Sequence, residues 1–180
     1  GGVPVFNRPT GNPRVFSASA SSIEAGSPAR IIELGRLVSR ATDEEFAARI
    51  GDFVELDDFA RYFAVLVWLA NNDSLLQNGQ NFYTYLHPDT NRMHFIAWDQ
   101  DFSFGNVRNL ATSWSIHRPW SGNNRFLARL YDLEAFRSKY FARLTEFSER
   151  LFVPDRFQQQ ITEISRGIKG TASVVTAAAV

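Results

Sequence analysis

Strand-like sequence occurs in one stretch of this 180-residue chain, between Asn81 and Trp98. Residues Asn81 to Leu86 alternate and are rich in Phe and Tyr, which predicts a β-strand. Turn-forming residues occupy 87–91, and Met93 to Trp98 has the composition of a partner strand. The sequence therefore predicts one β-hairpin in a chain whose other patterns are helical.

The remaining patterns have the apolar spacing of helices. Residues 28–40 show this spacing, and Thr42 with Glu45 forms a capping box for a short helix. Asp57 is placed to cap the next helix, whose apolar positions extend to Ala70 and indicate a buried C-terminal half. Further helices are predicted at 126–130, 136–151 and 157–168. The fold class is therefore α+β, mostly helices around one small hairpin.

Composition excludes several classes of protein. Lys+Arg and Asp+Glu both number 19, so the basic excess that non-specific nucleic-acid binding needs is missing. Without any cysteine, the chain can form neither disulfides nor a cysteine zinc site. The longest apolar run, Phe63 to Ala70, is too short to cross a bilayer, so no membrane span is predicted. The sequence contains no targeting signal from which a compartment could be inferred.

The two ends of the chain differ from its middle. Residues 1–28 contain four prolines and four glycines, which predicts an extended loop or the tail of a missing upstream region. Residues 29–170 are predicted to form the folded domain. Residues 171–180 are small and apolar, and we expect a frayed tail there.

Four polar side chains flank the predicted hairpin, namely Asp73, Asn81, Asp99 and Asp101. If the extended backbone continues through Asp101, the carboxylates of Asp99 and Asp101 face the same side. Like charges so close favour a shared cation, and oxygen ligands without His or Cys favour Mg²⁺ or Mn²⁺. The alternative is a turn with solvated carboxylates. Apolar residues on both sides of the pair count against it, because a buried charge is costly unless it is paired or metal-bound.

The ordered combination of these residues resembles the CotH family of spore-coat atypical protein kinases. The segments that carry the resemblance are Asn72-Asp73, Gln80-Asn81-Phe82-Tyr83-Thr84-Tyr85 and Phe95-Ile96-Ala97-Trp98-Asp99-Gln100-Asp101-Phe102-Ser103-Phe104-Gly105. The helical patterns at 126–130 and 136–144 also fit the C-terminal part of that family. The similarity covers residues 30–166.

The resemblance implies a mostly helical, protein-kinase-like C-lobe in which the hairpin carries the metal site. It implies an enzyme that uses ATP with Mg²⁺ or Mn²⁺ to phosphorylate Ser or Thr of a protein substrate. By this resemblance, Asp73 corresponds to the catalytic Asp that orients the acceptor hydroxyl. Asn81 corresponds to the metal-binding Asn, and Asp99 and Asp101 occupy the place of the metal-binding Asp, with the primary ligand left open.

Two features depart from the family pattern. Gln80 stands where the family usually has His, a change that preserves the capacity to form hydrogen bonds. The chain has no lysine before Lys139 and no G-x-G-x-x-G motif. Because kinases hold the ATP phosphates with these elements of the N-lobe, we expect the N-lobe to be absent and this chain to be a fragment.

The residues leave two alternatives open. A metal-dependent glycosyltransferase also places Asp-x-Asp after a hydrophobic strand, but it needs several parallel strands upstream. A structural or surface protein that keeps the kinase-like fold without activity is the other alternative. The three histidines, His87, His94 and His117, lack the spacing of a helical metal motif. We expect His87, in a turn, and His94, on a strand, to be structural or solvated.

Overall fold

The computed structural model describes residues 27–71, 73–77, 79–105 and 115–177. Within these residues the fold is α+β, as predicted, with a two-stranded antiparallel sheet between helical segments. The elements are α1 (Ser27–Arg40), α2 (Asp43–Arg49), α3 (Leu56–Trp68), β1 (Phe82–Leu86), β2 (Met93–Ala97), α4 (Arg125–Asp132), α5 (Glu134–Glu146) and α6 (Pro154–Ala177). No helix in the described residues has both the length and the apolar composition needed to cross a membrane.

The helix starts agree with the sequence at α2 and differ at α3. Thr42 caps α2, since its hydroxyl accepts the main-chain N–H of Glu45 at 3.2 Å. The prediction that Asp57 caps α3 was wrong, because Glu55 holds that position and makes no side-chain cap bond. Asp57 lies in the first turn, where a negative charge still favours the helix N-terminus.

An aromatic core surrounds α3. Phe59 is buried, and its ring centroid lies 4.7 Å from that of Phe95 and 5.3 Å from that of Phe126. One turn further along α3, Phe63 is also buried and lies 4.9 Å from Tyr140. Burial of each ring stabilises the fold by about 1.5–3 kcal/mol. Helix α3 is thus held between the hairpin on one side and α4 and α5 on the other.

The guanidinium of Arg129 on α4 caps the C-terminal end of α1. Its side chain is buried, and it pairs with Asp43 at 3.0 Å and lies over the ring of Phe46 at 4.3 Å. Its terminal nitrogens donate at 2.5–3.1 Å to the main-chain carbonyls of Leu37, Val38, Ala41 and Thr42. These carbonyls would otherwise lack partners at a helix end.

The hairpin is anchored on one face and open on the other. Phe82 pairs with Ala97 and Leu86 with Met93, so alternate residues face the core, where Phe82 stacks on Phe95. Met93 also donates its N–H to the Phe53 carbonyl at 2.7 Å, which ties β2 to the segment before α3. The opposite, outer face exposes the side chains of Tyr83, Tyr85, Ile96 and Trp98.

The chain divides into two compact units, Gly1–Phe141 and Ala142–Val180. In the second unit, a π-helical turn at Phe147–Leu151 precedes α6, and the ring of Phe152 contacts that of Phe157 at 5.8 Å. Helix α6 continues to Ala177 and so includes residues 171–177 of the segment predicted as a tail. The predicted N-terminal loop or tail at 1–28 lies, except for residues 27 and 28, outside the described residues.

Candidate functional site

Asp73 lies half-buried in the loop after α3, with hydrogen-bond donors on both oxygens of its carboxylate. Gln80 Nε2 donates to Oδ1 at 2.7 Å, and Asn81 Nδ2 donates to Oδ2 at 2.9 Å. The same Asn81 nitrogen also donates to the Asp73 main-chain carbonyl at 2.7 Å. The two bonds to Oδ1 and Oδ2 fix the orientation of the carboxylate, and the third holds the Asn81 side chain against the main chain of Asp73.

A compact turn brings Gln80 and Asn81 back to Asp73. The N–H of Gly79 donates to the carbonyl of Ser74 at 3.1 Å, and the Ser74 hydroxyl donates to the carbonyl of Asn71 at 2.7 Å. Gly79 has a φ of +67°, a conformation that glycine adopts without steric cost. The chain therefore reverses within a few residues, and β1 begins beside the loop that carries Asp73.

Asp99 and Asp101 follow β2, and both are exposed. The expectation of an extended backbone through Asp101 was wrong, since Asp99 has a φ of +52° and Asp101 lies in a turn. The two carboxyl groups nevertheless interact. The negative charge of Asp101 is the main cause that raises the pKa of the Asp99 carboxyl. Desolvation, a hydrogen bond between the two carboxyls and the charge of Asp73 raise this pKa further, so the three carboxylates form one acidic cluster.

Left-handed backbone conformations concentrate around this cluster. Four of the five non-glycine residues with positive φ among the described residues lie there, namely Ala70, Asn81, Asp99 and Phe104. Asn and Asp adopt this conformation readily, whereas it costs about 1–2 kcal/mol for Ala or Phe. The strain is held in place because Phe104 donates its N–H to the carbonyl of Leu69 at 2.6 Å. Such strain is found preferentially at functional sites.

Two residues that the sequence analysis did not single out connect the loop after α3 to the acidic pair. Asn71 is fully buried and donates from Nδ2 to Oε1 of Gln100 at 2.8 Å. Gln100 donates in turn from Nε2 to the Trp98 carbonyl at 2.7 Å, while its own carbonyl accepts the Ser103 hydroxyl at 2.8 Å. Gln100 lies between Asp99 and Asp101 in the chain, so these bonds hold the main chain that carries both carboxylates against the loop after α3. In the sequence, the feature that could have drawn attention to Asn71 is its position as a polar residue directly after the apolar run Phe63 to Ala70.

The cluster offers oxygen ligands only. Among the described residues, no three His or acidic side chains are placed to hold a metal ion by themselves. Asn81 can add its amide oxygen, because its amide nitrogen is already bonded to Asp73. One or two carboxylates completed by water and phosphate oxygens is the set that Mg²⁺ prefers, and a cation would relieve the repulsion between Asp99 and Asp101. The residues present therefore fit Mg²⁺ or Mn²⁺ with a phosphate-bearing ligand.

In the part of the chain that the structure describes, the fold is α+β, and an acidic cluster lies next to a β-hairpin. A family model described as "CotH kinase protein" matches residues 7–176, and the chain belongs to the CotH family. Inner spore coat protein H of Bacillus subtilis (strain 168) is 23% identical over 125 residues, which are 69% of this chain and 34% of that protein. The matched segment thus spans about a third of that relative's length. The resemblance inferred from the motifs is confirmed.

Proposed function

We propose that this chain is the C-lobe of a CotH-type protein kinase, which transfers the γ-phosphoryl group of ATP to a Ser or Thr hydroxyl of a protein substrate. The observation that carries the proposal is the pair of bonds from Asn81 to Asp73 beside the interacting carboxylates of Asp99 and Asp101. Kinases need an Asp that acts on the acceptor hydroxyl, together with an Asn and an Asp that hold metal. Membership of the CotH family supports this assignment.

In this proposal Asp73 accepts the proton of the acceptor hydroxyl. Gln80 and Asn81 each donate to one of its oxygens, so the carboxylate is held in a single orientation. Asp73 therefore positions the hydroxyl for in-line attack and accepts its proton as the bond to phosphorus forms.

Asn81, Asp99 and Asp101 form the proposed nucleotide side of the site. Mg²⁺ or Mn²⁺, when bound there, would neutralise negative charge on the ATP phosphates. The Asn81 amide oxygen and the two carboxylates would hold the cation, and the brace through Gln100 keeps the carboxylates together. Among the described residues between 27 and 81, helices and turns predominate. The parallel pairing found there is an isolated bridge between Val54 and Met93 and not a sheet, which favours a kinase over a glycosyltransferase.

We propose that another lobe supplies the residues that bind the ATP phosphates. The first lysine in the sequence is Lys139, which is ion-paired with Asp57 at 3.5 Å. A structural role in a coat layer, without phosphoryl transfer, is the competing function, and the name of the Bacillus relative favours it. The two functions differ in whether Asp73 is needed.

The deciding experiment measures radiolabel transfer from ATP to a protein acceptor, using a full-length form that includes an N-lobe. Asp73→Asn should lower the transfer rate at least about 100-fold, because general-base catalysis typically contributes that much. It should leave Mg·ATP affinity within a few-fold, since Asp73 acts on the acceptor. Asp89→Asn, the same change in the exposed hairpin turn, is the matched control. Undiminished transfer by Asp73→Asn would reject the catalytic assignment and leave the structural role.

A further inference from the structure

Two of the chain's three histidines lie together on the outer face of the hairpin. His94 belongs to β2 and pairs with Tyr85, whereas His87 follows β1 and donates its main-chain N–H to the Arg92 carbonyl at 2.9 Å. Because alternate residues of paired strands share a face, His87 and His94 are diagonal neighbours on the side away from the core. Their ring centroids are 5.8 Å apart.

This separation is close to that of two imidazoles bound to one metal ion. Metal–nitrogen bonds are about 2.1 Å long, so two rings on a tetrahedral ion have centroids about 5 Å apart. The rings of His87 and His94 exceed this spacing by less than about 1 Å. Neither ring is fully buried, so a bound ion would require the two side chains to rotate toward each other at the surface of the hairpin.

Asp58 fixes the tautomer of the His94 imidazole in the form that can bind a metal ion. Oδ2 of Asp58 lies 2.8 Å from Nδ1 of His94. A carboxylate accepts, so Nδ1 carries the proton and Nε2 retains the lone pair that a metal needs. A carboxylate behind a ligating imidazole is the usual outer-shell partner in metal sites.

The imidazole of His87 makes a weak hydrogen bond and contacts the ring of Tyr85, with the two centroids 6.2 Å apart. Its Nδ1 accepts the main-chain N–H of Asp89 at 3.3 Å, which is long for a hydrogen bond. The turn N–H of Asp89 can bond to water instead, because Asp89 is exposed. The hydrogen bond to Asp89 therefore does not prevent the His87 ring from turning toward a shared ion.

We propose that His87 and His94 form a two-histidine site for a divalent transition-metal ion such as Ni²⁺, Zn²⁺ or Cu²⁺. Imidazole nitrogen favours these ions over Mg²⁺, so the site differs chemically from the oxygen-only set at Asp99 and Asp101. No third His or acidic ligand is placed to join among the residues the structure describes. Water, or a ligand from a partner, completes the coordination. A bound ion joins the two strands and, through Asp58, braces α3.

The small number of histidines makes the site directly testable with Ni²⁺ alone as the probe. Proton NMR of the full chain resolves one Hε1 signal for each histidine. Paramagnetic Ni²⁺ at neutral pH should broaden the signals of His87 and His94 at concentrations that leave His117 sharp. His117 packs on the ring of Phe141 at 5.3 Å, elsewhere in the same unit.

Calorimetric titration of variants provides the second readout. His87→Gln and His94→Gln should each weaken Ni²⁺ binding at least tenfold, and Asp58→Asn should weaken it by roughly tenfold because the outer-shell carboxylate is lost. His117→Gln should leave the affinity unchanged. Asp101→Asn should also leave it unchanged, which separates this site from the acidic cluster and from the proposed kinase function.

Three results would overturn the two-histidine site. These are the absence of Ni²⁺ binding by the wild-type chain, equal broadening of all three histidine signals, and an affinity that does not respond to His87→Gln or His94→Gln. The NMR measurement on the wild-type chain decides the question even if a variant fails to fold.

Discussion

The side-chain nitrogen of Asn81 lies 2.9 Å from Oδ2 of Asp73 and 2.7 Å from its main-chain carbonyl. This one amide ties the first residue before β1 to the loop after α3 and prevents the Asp73 carboxylate from turning. Because the nitrogen is used in this way, the amide oxygen of Asn81 is left for another partner. Asn81 therefore links the residue proposed to act on the acceptor with those proposed to hold the cation.

The backbone at Asn81 makes a prediction about stability. Its φ of +58° strains an alanine by about 1–2 kcal/mol, whereas glycine adopts it freely. Both Asn81→Ala and Asn81→Gly lose the bonds to Asp73. The difference between their free energies of unfolding therefore reports the effect of the backbone conformation. After allowance for the greater freedom of unfolded glycine, Asn81→Gly should be more stable than Asn81→Ala by about 0.5–1 kcal/mol in urea denaturation.

Thr84, an exposed residue inside β1, is the control for this comparison. Glycine weakens a strand interior, so Thr84→Gly should be less stable than Thr84→Ala. The expected order is therefore reversed between the two sites. If alanine is the more stable substitution at both, Asn81 is not strained.

Asp101 should influence how the stability of the fold depends on pH. In the folded protein its charge raises the pKa of Asp99, while in the unfolded chain Asp99 titrates near 3.8. The Asp99 carboxyl therefore binds its proton more tightly in the folded state than in the unfolded state. Stability therefore falls as pH rises from about 3.8 through the folded-state pKa.

Asp101→Asn removes the largest cause of this effect. With a chelator present, the melting temperature is measured at pH 4 and at pH 7. The decrease between these two values should be smaller in Asp101→Asn than in the wild type. Asp89→Asn removes a carboxylate from the exposed turn and should leave the wild-type pH profile in place. Parallel profiles for the wild type and Asp101→Asn would show that the two carboxylates do not interact.

Arg129 should be among the residues that the fold depends on most. Arg129→Met leaves four main-chain carbonyls near the end of α1 without their donor and should cost about 3 kcal/mol in denaturant unfolding. Arg129→Lys should also destabilise clearly, because an ammonium cannot reproduce the planar fork of donors. Arg125→Lys, on the exposed side of the same helix, should stay within about 0.5 kcal/mol of the wild type. Equal losses for the two lysine variants would contradict this role.

The parts of the fold that follow from local pattern were predictable from the sequence. The hairpin was one, because the aromatic-rich segments and the turn between them are contiguous in the chain. The capped start of α2 at Thr42 was another, since a cap depends on residues three positions apart. The start of α3 was misjudged at Asp57, because side-chain capping does not fix the first residue of that helix.

The sequence supplied the candidate residues of the site but did not predict its backbone geometry. The meeting of Asp99 and Asp101 was expected from strand alternation, yet a left-handed residue and a turn produce it. Side-chain alternation carries no information about such a change in backbone. The bond between Asn71 and Gln100 joins positions 29 residues apart and exists only once α3 has packed beside the hairpin.

The acidic cluster should bind Mg²⁺ weakly by itself and more strongly with nucleotide. Asp99 and Asp101 supply two carboxylates, and phosphate oxygens commonly complete the shell of this ion. Because a ligand that binds only the folded state raises its stability, Mg·ATP should raise the melting temperature more than Mg²⁺ alone. The shift is expected to be modest for this chain, since its first 138 residues contain no lysine to hold the phosphates.

Paired variants assign the shift to its site. Asp101→Asn should abolish the Mg·ATP shift, because it removes a negative charge from the cation's ligands, while His94→Gln should leave it intact. A rise with Zn²⁺ should behave in the opposite way and disappear in His94→Gln, since zinc favours imidazole nitrogen over a carboxylate pair. Equal shifts with Mg²⁺ and with Mg·ATP would count against the proposed kinase site, because the cation would then be held without the phosphates.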